Sequence, residues 1–289
     1  MSSDVNSFLK SLFFGQIRED LVFPFPQLSD DVRETVSMVN EAVGKFSDEH
    51  IESEKWDKEA EMPKEIVDYC SEMGLMGILV EEKYNGLGLP MMAYARIFEE
   101  LGTHDTSLTV TIGAHQSIGY KGLLLFGTDE QNERYLPKLA TGEMIAAFCL
   151  TEPSSGSDAA SIKTKAVLSE DGSEYILSGS KLWITNGGIA DFFTVFAKVE
   201  VGEGNEKKEK VTCFIVEAAW EGVTVGPPEE KMGIKASWTN EVHFQDVKVP
   251  ANNIIGEPGK GFKVAMGILN HGRMGLAGGC ISGIKKCIK

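Results

Sequence analysis

The residues best equipped for chemistry lie in two short segments, "TEPSSGSD" from Thr151 to Asp158 and "WITNGG" from Trp183 to Gly188. The first follows the apolar run "MIAAFCL" and is acidic, broken by proline and rich in serine and glycine. Such a loop offers closely spaced backbone N–H groups and small hydroxyls, the parts that seat an anionic or polar ring ligand. Taken alone it could equally be an ordinary turn. The pairing with "WITNGG" points to a ligand, because Trp183 adds a large flat face and Thr185 a short hydroxyl after a strand-like pattern. A flat aromatic beside two hydroxyls, Thr151 and Thr185, near a bend rich in N–H groups suits a flavin, a planar ring with polar edges and a pyrophosphate tail. No GxGxxG joins a strand to a helix, so a Rossmann dinucleotide site is not supported. "GKG" at Gly259–Gly261 reads as the turn that opens a helix.

Composition narrows the setting. The 289 residues carry a formal charge of −15 and are 42% hydrophobic and 25% charged, enough for two or three packed units. That charge opposes generic binding to nucleic acid or anionic membranes, while a local pocket can still take a phosphate-bearing small ligand. The five cysteines, Cys70, Cys149, Cys213, Cys280 and Cys287, contain no CxxC pair. Cys149 and Cys213 sit in apolar runs and read as buried thiols, so a reducing compartment fits and a disulfide framework or a zinc site does not. The opening "MSSDVNSFLKSLFFGQIRED" has acids and few arginines and does not read as a transit peptide, and no apolar stretch is long enough to span a bilayer.

Two kinds of element must position the motifs. In "LSDDVRETVSMVNEAVGKFSDEHI", Leu28, Val32, Val36, Val39 and Val43 fall at helical spacing, with Ser29 and Asp30 as capping candidates. "MPKEIVDYCSEMGLMGILV" predicts a second helix, with Pro63 near its start and a stop at Gly74. "YNGLGLP" is a turn cluster, and Met91–Gly102, Ser107–Phe126 and Asp129–Leu139 predict three more helices, the middle one buried. Near Ile145 the pattern changes to short β-branched or aromatic runs, "IAAFCLT", "IKTKAVLS", "EYILSGS", "DFFTVFAKV", "KVTCFIVEA", "GVTVG" and "NEVHFQDVKV". Strands in series without intervening helices predict an antiparallel barrel or sandwich, with "EVGEGNEKKEKV" as a solvated hairpin tip. A helical pattern resumes at Phe262 and stops mid-pattern in "GGCISGIKKCIK", which is expected to mean a cut chain or short form lacking a partner domain. Its glycines, Gly275, Gly278, Gly279 and Gly283, are expected to weaken that helix and let it fray. The division expected is an extension at 1–26, a helical domain at 27–143, a β-domain at 144–257 and the first helix of an incomplete helical domain at 258–289.

"AFCLTEPSSGSDAASI", "GSKLWITNGG", "KMGIKAS", "VP" followed by "NIIGEPGKGFKVAM", and "ILNHGR" together resemble the acyl-CoA dehydrogenase family. "LFFGQIREDLVFPFP" and "GAHQSIGYKGLLLFGT" are similar to its very-long-chain branch. The resemblance covers essentially the whole chain in order. It implies an FAD-dependent α,β-dehydrogenation of long or very-long-chain fatty acyl-CoA to trans-2-enoyl-CoA in fatty-acid β-oxidation. The electrons would pass to an electron-transferring flavoprotein. It further implies a homodimer in the full-length form, a mitochondrial location, and peripheral association with the inner membrane through a region outside this sequence. Carried onto matching positions, it implies that Phe148, Leu150, Thr151, Gly156, Ser157, Trp183, Ile184 and Thr185 hold the flavin. Ser157, Asn270 and Arg273 would meet substrate, and Arg273 would also support the catalytic base. That base, a glutamate in the C-terminal bundle, is expected beyond Lys289, so this chain alone is expected to be inactive. Glu152 belongs to the loop motif and does not read as a substitute, and His115 and His271 read as packing residues. Two positions depart from the pattern: Trp238 where many members have Asn, and Asn270 where several have Asp. A non-catalytic assembly module and an acyl-CoA oxidase are the other readings that stay open.

Overall fold

Apolar residues at helical spacing build the first half of the chain as helices. The computed structural model describes residues 7–202, 204 and 207–288, so residues 1–6, Lys289 and, in the expected hairpin tip, Glu203, Asn205 and Glu206 lie outside it. After a short α1 (Phe8–Phe13), α2 (Asp30–His50) buries Val36, Val43 and Phe46. Ser29 stands at its N-cap but its hydroxyl makes no capping bond, and Asp30 and Asp31 complement the helix dipole instead. A helix missed in the sequence, α3 (Ser53–Glu59), buries Trp56. α4 (Lys64–Glu72) ends just before Gly74, whose φ of 74° stops it as expected. α5 (Met91–His104) leads to α6 (Thr106–Gly113), and α7 (Lys121–Phe126) to α8 (Asp129–Thr141), which opens on a complete Thr128–Gln131 capping box.

The predicted single helix over Ser107–Phe126 is broken by a π-helical turn at Ala114–Gly119. The side chains of that turn explain the break. His115 Nε2 bonds the Leu139 carbonyl at 2.9 Å while its Nδ1 accepts the Ala146 N–H at 2.9 Å. The neighbouring Gln116 amide donates to Leu75 O and accepts from Ile78 N, at 2.6 and 3.0 Å. The wider turn lets both buried side chains reach partners on other elements.

Among the described residues eight strands follow: β1 (Ala146–Cys149), β2 (Lys165–Leu168), β3 (Glu174–Thr185), β4 (Phe192–Val201), β5 (Lys208–Glu217), β6 (Val223–Pro228), β7 (Thr239–Pro250) and β8 (Ile254–Ile255). They run in the order β6-β7-β3-β2-β4-β5-β8, with β1 beside β4. The β-unit expected is therefore present, but its sheet is open, and it is not wholly antiparallel. β1 and β2 each pair with β4 in parallel, because the β2–β3 hairpin serves as the crossover between β1 and β4. Phe193, Val195, Phe214, Val242 and Val247 form the core of this unit, and Cys149 and Cys213 are buried as expected.

Last comes α9 (Gly261–Ile288). The glycines expected to weaken it have a use that periodicity did not show. A Cβ on Gly278 would lie 2.6 Å from Ala95 O, and one on Gly275 would lie 2.5 Å from Tyr94 Cε1, so both allow α9 to press against α5. Leu276, Ile284 and Ile288 point to solvent on the other side. Gly278→Ala is expected to destabilise by about 1–3 kcal/mol through overpacking. Gly283→Ala, whose Cβ would meet nothing within 4 Å, is expected to stabilise by up to about 1 kcal/mol. Urea unfolding of the two variants reads both signs.

Candidate functional site

The site forms where the ends of β1 and β3 meet. β3 pairs with β7 as Lys181↔Val242 and next as Ile184↔Asn240, so one extra residue bulges from β3. Trp183 occupies the bulge with φ 58°, a left-handed conformation rare for a bulky residue, and the residue is 62% exposed. Holding that conformation costs on the order of 1–3 kcal/mol, which marks the position as a candidate for function. The loop "TEPSSGSD" lies directly alongside, since Leu182 N donates to Thr151 O at 2.9 Å. Thr151 and Thr185 are both half-buried. The two motifs, separated by 24 residues in the sequence, thus share one surface.

Beneath that surface is a buried ion pair. Lys181 Nζ sits 2.7 Å from Glu152 Oε1 and 3.3 Å from the Leu150 carbonyl. The Glu152 carboxylate also accepts from Thr164 Oγ1 at 2.6 Å, Thr164 N at 3.1 Å and Lys163 N at 2.5 Å. Burial alone would raise the Glu152 pKa, but the Lys181 ammonium and these donors more than offset it and hold the carboxyl below its usual range. A carboxylate so fully bonded and so weakly basic is a poor proton acceptor, in keeping with the structural role expected for it. Lys181 was missed in the sequence, although a signal was there. Tyr175, Leu177 and Lys181 share the inward parity of β3, and a lysine at an inward position needs a partner.

The rest of the loop is built from itself. Glu152 and Ser155 exchange backbone bonds at 3.0 Å, and Ser155 Oγ donates to Asp158 O at 2.5 Å, leaving Gly156 and Ser157 exposed. Beyond the bulge, Asn186 N donates to Trp238 O at 2.6 Å and Asn186 Nδ2 to Thr111 O at 2.9 Å, tying the seat to the helices. The Trp238 ring packs partly buried against the helical core, which accommodates its bulk.

The predicted flavin residues divide by what they can offer. Trp183, Thr151, Thr185, Gly156 and Ser157 present surface, and Phe148 is half-buried against Phe196 with ring centroids 5.1 Å apart. Leu150 and Ile184 are buried, so their backbones rather than side chains face the seat. Asn270 and Arg273 lie apart on α9 as an exposed pair, with Arg273 Nη1 2.6 Å from Asn270 Oδ1. No hydrogen bond joins them to the loop or the bulge among the described residues. His271 bonds its own helix at Gly267 O, 2.9 Å away. Cavities of about 500, 730 and 320 Å3 lie elsewhere, the first between residues 25–28 with α2 on one side and α5 with Lys285 on the other, and the other two on either side of Arg134. The seat is an open face. An exposed indole plane, two half-buried hydroxyls and an exposed glycine–serine bend fit one face of a planar, hydrogen-bonding ring with an anionic tail.

Known proteins share the sequence pattern and fold of this chain. The family models for the acyl-CoA dehydrogenase N-terminal and middle domains match residues 33–143 and 147–247. The mitochondrial very long-chain specific acyl-CoA dehydrogenase of Macaca fascicularis is 52% identical over 278 residues, 95% of this chain and 42% of its own length. Butyryl-CoA dehydrogenase from Megasphaera elsdenii has a similar structure, with a TM-score of 0.80 and 37% identity over 89% of this chain and 66% of its own. An acyl-CoA dehydrogenase from Bacillus anthracis, solved in complex with FAD, gives a TM-score of 0.77 and 38% identity over 90% of this chain and 43% of its own.

Proposed function

Because the chain belongs to the acyl-CoA dehydrogenase family, we propose that it forms the flavin-holding part of an enzyme that converts long or very-long-chain fatty acyl-CoA to trans-2-enoyl-CoA. The chain spans 42% of the length of the curated relatives named very long-chain specific. The observation that carries the reading is the Trp183 bulge docked against the Thr151 loop, a flat ring flanked by two hydroxyls. Bound there, FAD would supply the two-electron acceptor for the β-hydrogen of the thioester. Thr151 and Thr185 would bond the polar edges of its ring, Trp183 would cover one face, and Gly156 and Ser157 would turn N–H groups toward its pyrophosphate. The buried Glu152–Lys181 pair would keep the two motifs in register. Asn270 and Arg273 would contact the CoA end of the substrate, with Arg273 supporting the base.

Glu152 is already saturated with donors, so it would not supply the base, and the 289 residues on their own are expected to give no turnover. The relatives' names support a mitochondrial location. Electrons would pass to an electron-transferring flavoprotein, and the full-length form would be a homodimer that meets the inner membrane peripherally. Protein expressed from its complete coding sequence, given palmitoyl-CoA and an electron-transferring flavoprotein without oxygen, tests the reading. Formation of trans-2-enoyl-CoA is the expected result. Peroxide formed only with oxygen would make it an oxidase, and flavin-free protein without turnover would leave an assembly module.

A further inference from the structure

A cation with no carboxylate in contact stands at the same end of the sheet. The connection between β6 and β7 carries Lys231, whose Nζ donates to Ser237 O, to Ser237 Oγ at 2.8 Å and to Thr239 Oγ1 at 2.9 Å. An ammonium has three donors, and here each has an acceptor. All three acceptors are neutral, and among the described residues no carboxylate lies within 4.0 Å of this ammonium. Glu229 acts on it only from a greater distance. In a chain with 43 acidic residues against 28 basic ones, an ammonium held only by neutral oxygens stands out.

The cage holds the strand that faces the seat. Thr239 is the ladder partner of Thr185, and Trp238, between the two caging residues, gives its carbonyl to Asn186 N at 2.6 Å. Neighbouring strands run about 4.8 Å apart, so the charge is fixed roughly one strand away from Thr185. Ser237 Oγ donates onward to Ile234 O at 3.0 Å, which closes the turn around the ammonium.

We infer that Lys231 is a positioning residue of the flavin seat: it holds Thr239 opposite Thr185, and its charge, caged by neutral oxygens, favours the electron-rich reduced flavin over the oxidised form. A positive charge fixed in partly buried surroundings stabilises added electron density more than it would in water. The inference rests on the flavin reading above, and its test separates the two.

Potentiometric titration of FAD bound to the complete protein reads the effect, with Lys231→Gln, Lys231→Arg and Met232→Glu beside wild type. Lys231→Gln keeps amide donors for the cage but removes the charge, and its flavin midpoint potential is expected to shift to more negative values. Lys231→Arg is expected to restore it toward wild type. Met232 is fully exposed and next to Lys231, so Met232→Glu adds an opposing charge without disturbing the cage and is expected to shift the potential in the same negative direction. Unchanged potentials in Lys231→Gln and Met232→Glu, even with a lower melting temperature, would leave Lys231 a purely structural residue and overturn the inference. A wild-type protein that holds no flavin would instead overturn the flavin reading itself.

Discussion

Lys181→Met is expected to destabilise the folded chain by about 3–5 kcal/mol, because it leaves the Glu152 carboxylate buried without its counter-charge. Glu152→Gln is expected to cost a similar amount by stranding Lys181, which is fully buried. The double variant Glu152→Gln/Lys181→Met is expected to recover much of the loss, since a buried pair is worth far less than the penalty for breaking it. The shape of the seat follows the same bonds. Glu152 draws in Lys163 and Thr164, and Lys181 reaches back to Leu150, so three segments meet at one pair. Urea unfolding of the four proteins, set out as a double-mutant cycle, measures the coupling. Equal, additive losses below about 1 kcal/mol would mean that the pair behaves as a surface ion pair.

Acid is expected to weaken the fold through His115 before most carboxylates titrate. Burial lowers the His115 pKa from an ordinary value near 6.5 to about 4, with the bond to Leu139 O opposing part of that shift. The folded state therefore binds the proton less well than the unfolded chain. Stability contributed by the neutral ring is complete above about pH 6.5 and is lost as pH falls toward 4. The slope is expected to approach about 1.4 kcal/mol per pH unit near pH 5, and the total loss about 3 kcal/mol. His115→Gln is expected to flatten the slope between pH 6.5 and 5 whatever it costs at neutral pH. A wild-type slope preserved in that variant would assign the proton to another group.

The helix and strand content could be read from period and turn residues because each element buries one consistent face. What escaped was set by contacts distant in sequence. Nothing local shows that Gln116 must reach Leu75 and Ile78, so the π-helical turn was hidden inside an apolar run. The parallel pairing of β1 and β2 with β4 follows from a crossover that no single strand pattern encodes. The glycines of α9 looked like weak points because their cost is local, whereas their use depends on Tyr94 and Ala95 across the interface. In the seat, side-chain types alone brought Thr151, Trp183 and Thr185 together. The bulge that turns Trp183 outward is a backbone event that alternation cannot reveal. Lys181 was legible in principle, as an inward lysine in an alternating strand, and Lys231 was not, because its partners are ordinary hydroxyls six and eight positions on.

The central claim is that Trp183, Thr151 and Thr185 form a flavin seat, and the affinity for FAD tests it most directly. Titrating FAD into the complete protein while following tryptophan fluorescence gives a Kd for wild type, Trp183→Ala, Thr151→Val and Thr185→Val. Each lost hydrogen bond to a buried flavin edge is expected to cost about 1–3 kcal/mol, a roughly 5- to 150-fold weaker Kd. Trp183→Ala is expected to weaken binding as well and to remove most of the quenching. FAD bound with wild-type affinity and wild-type quenching by all three variants would contradict the site.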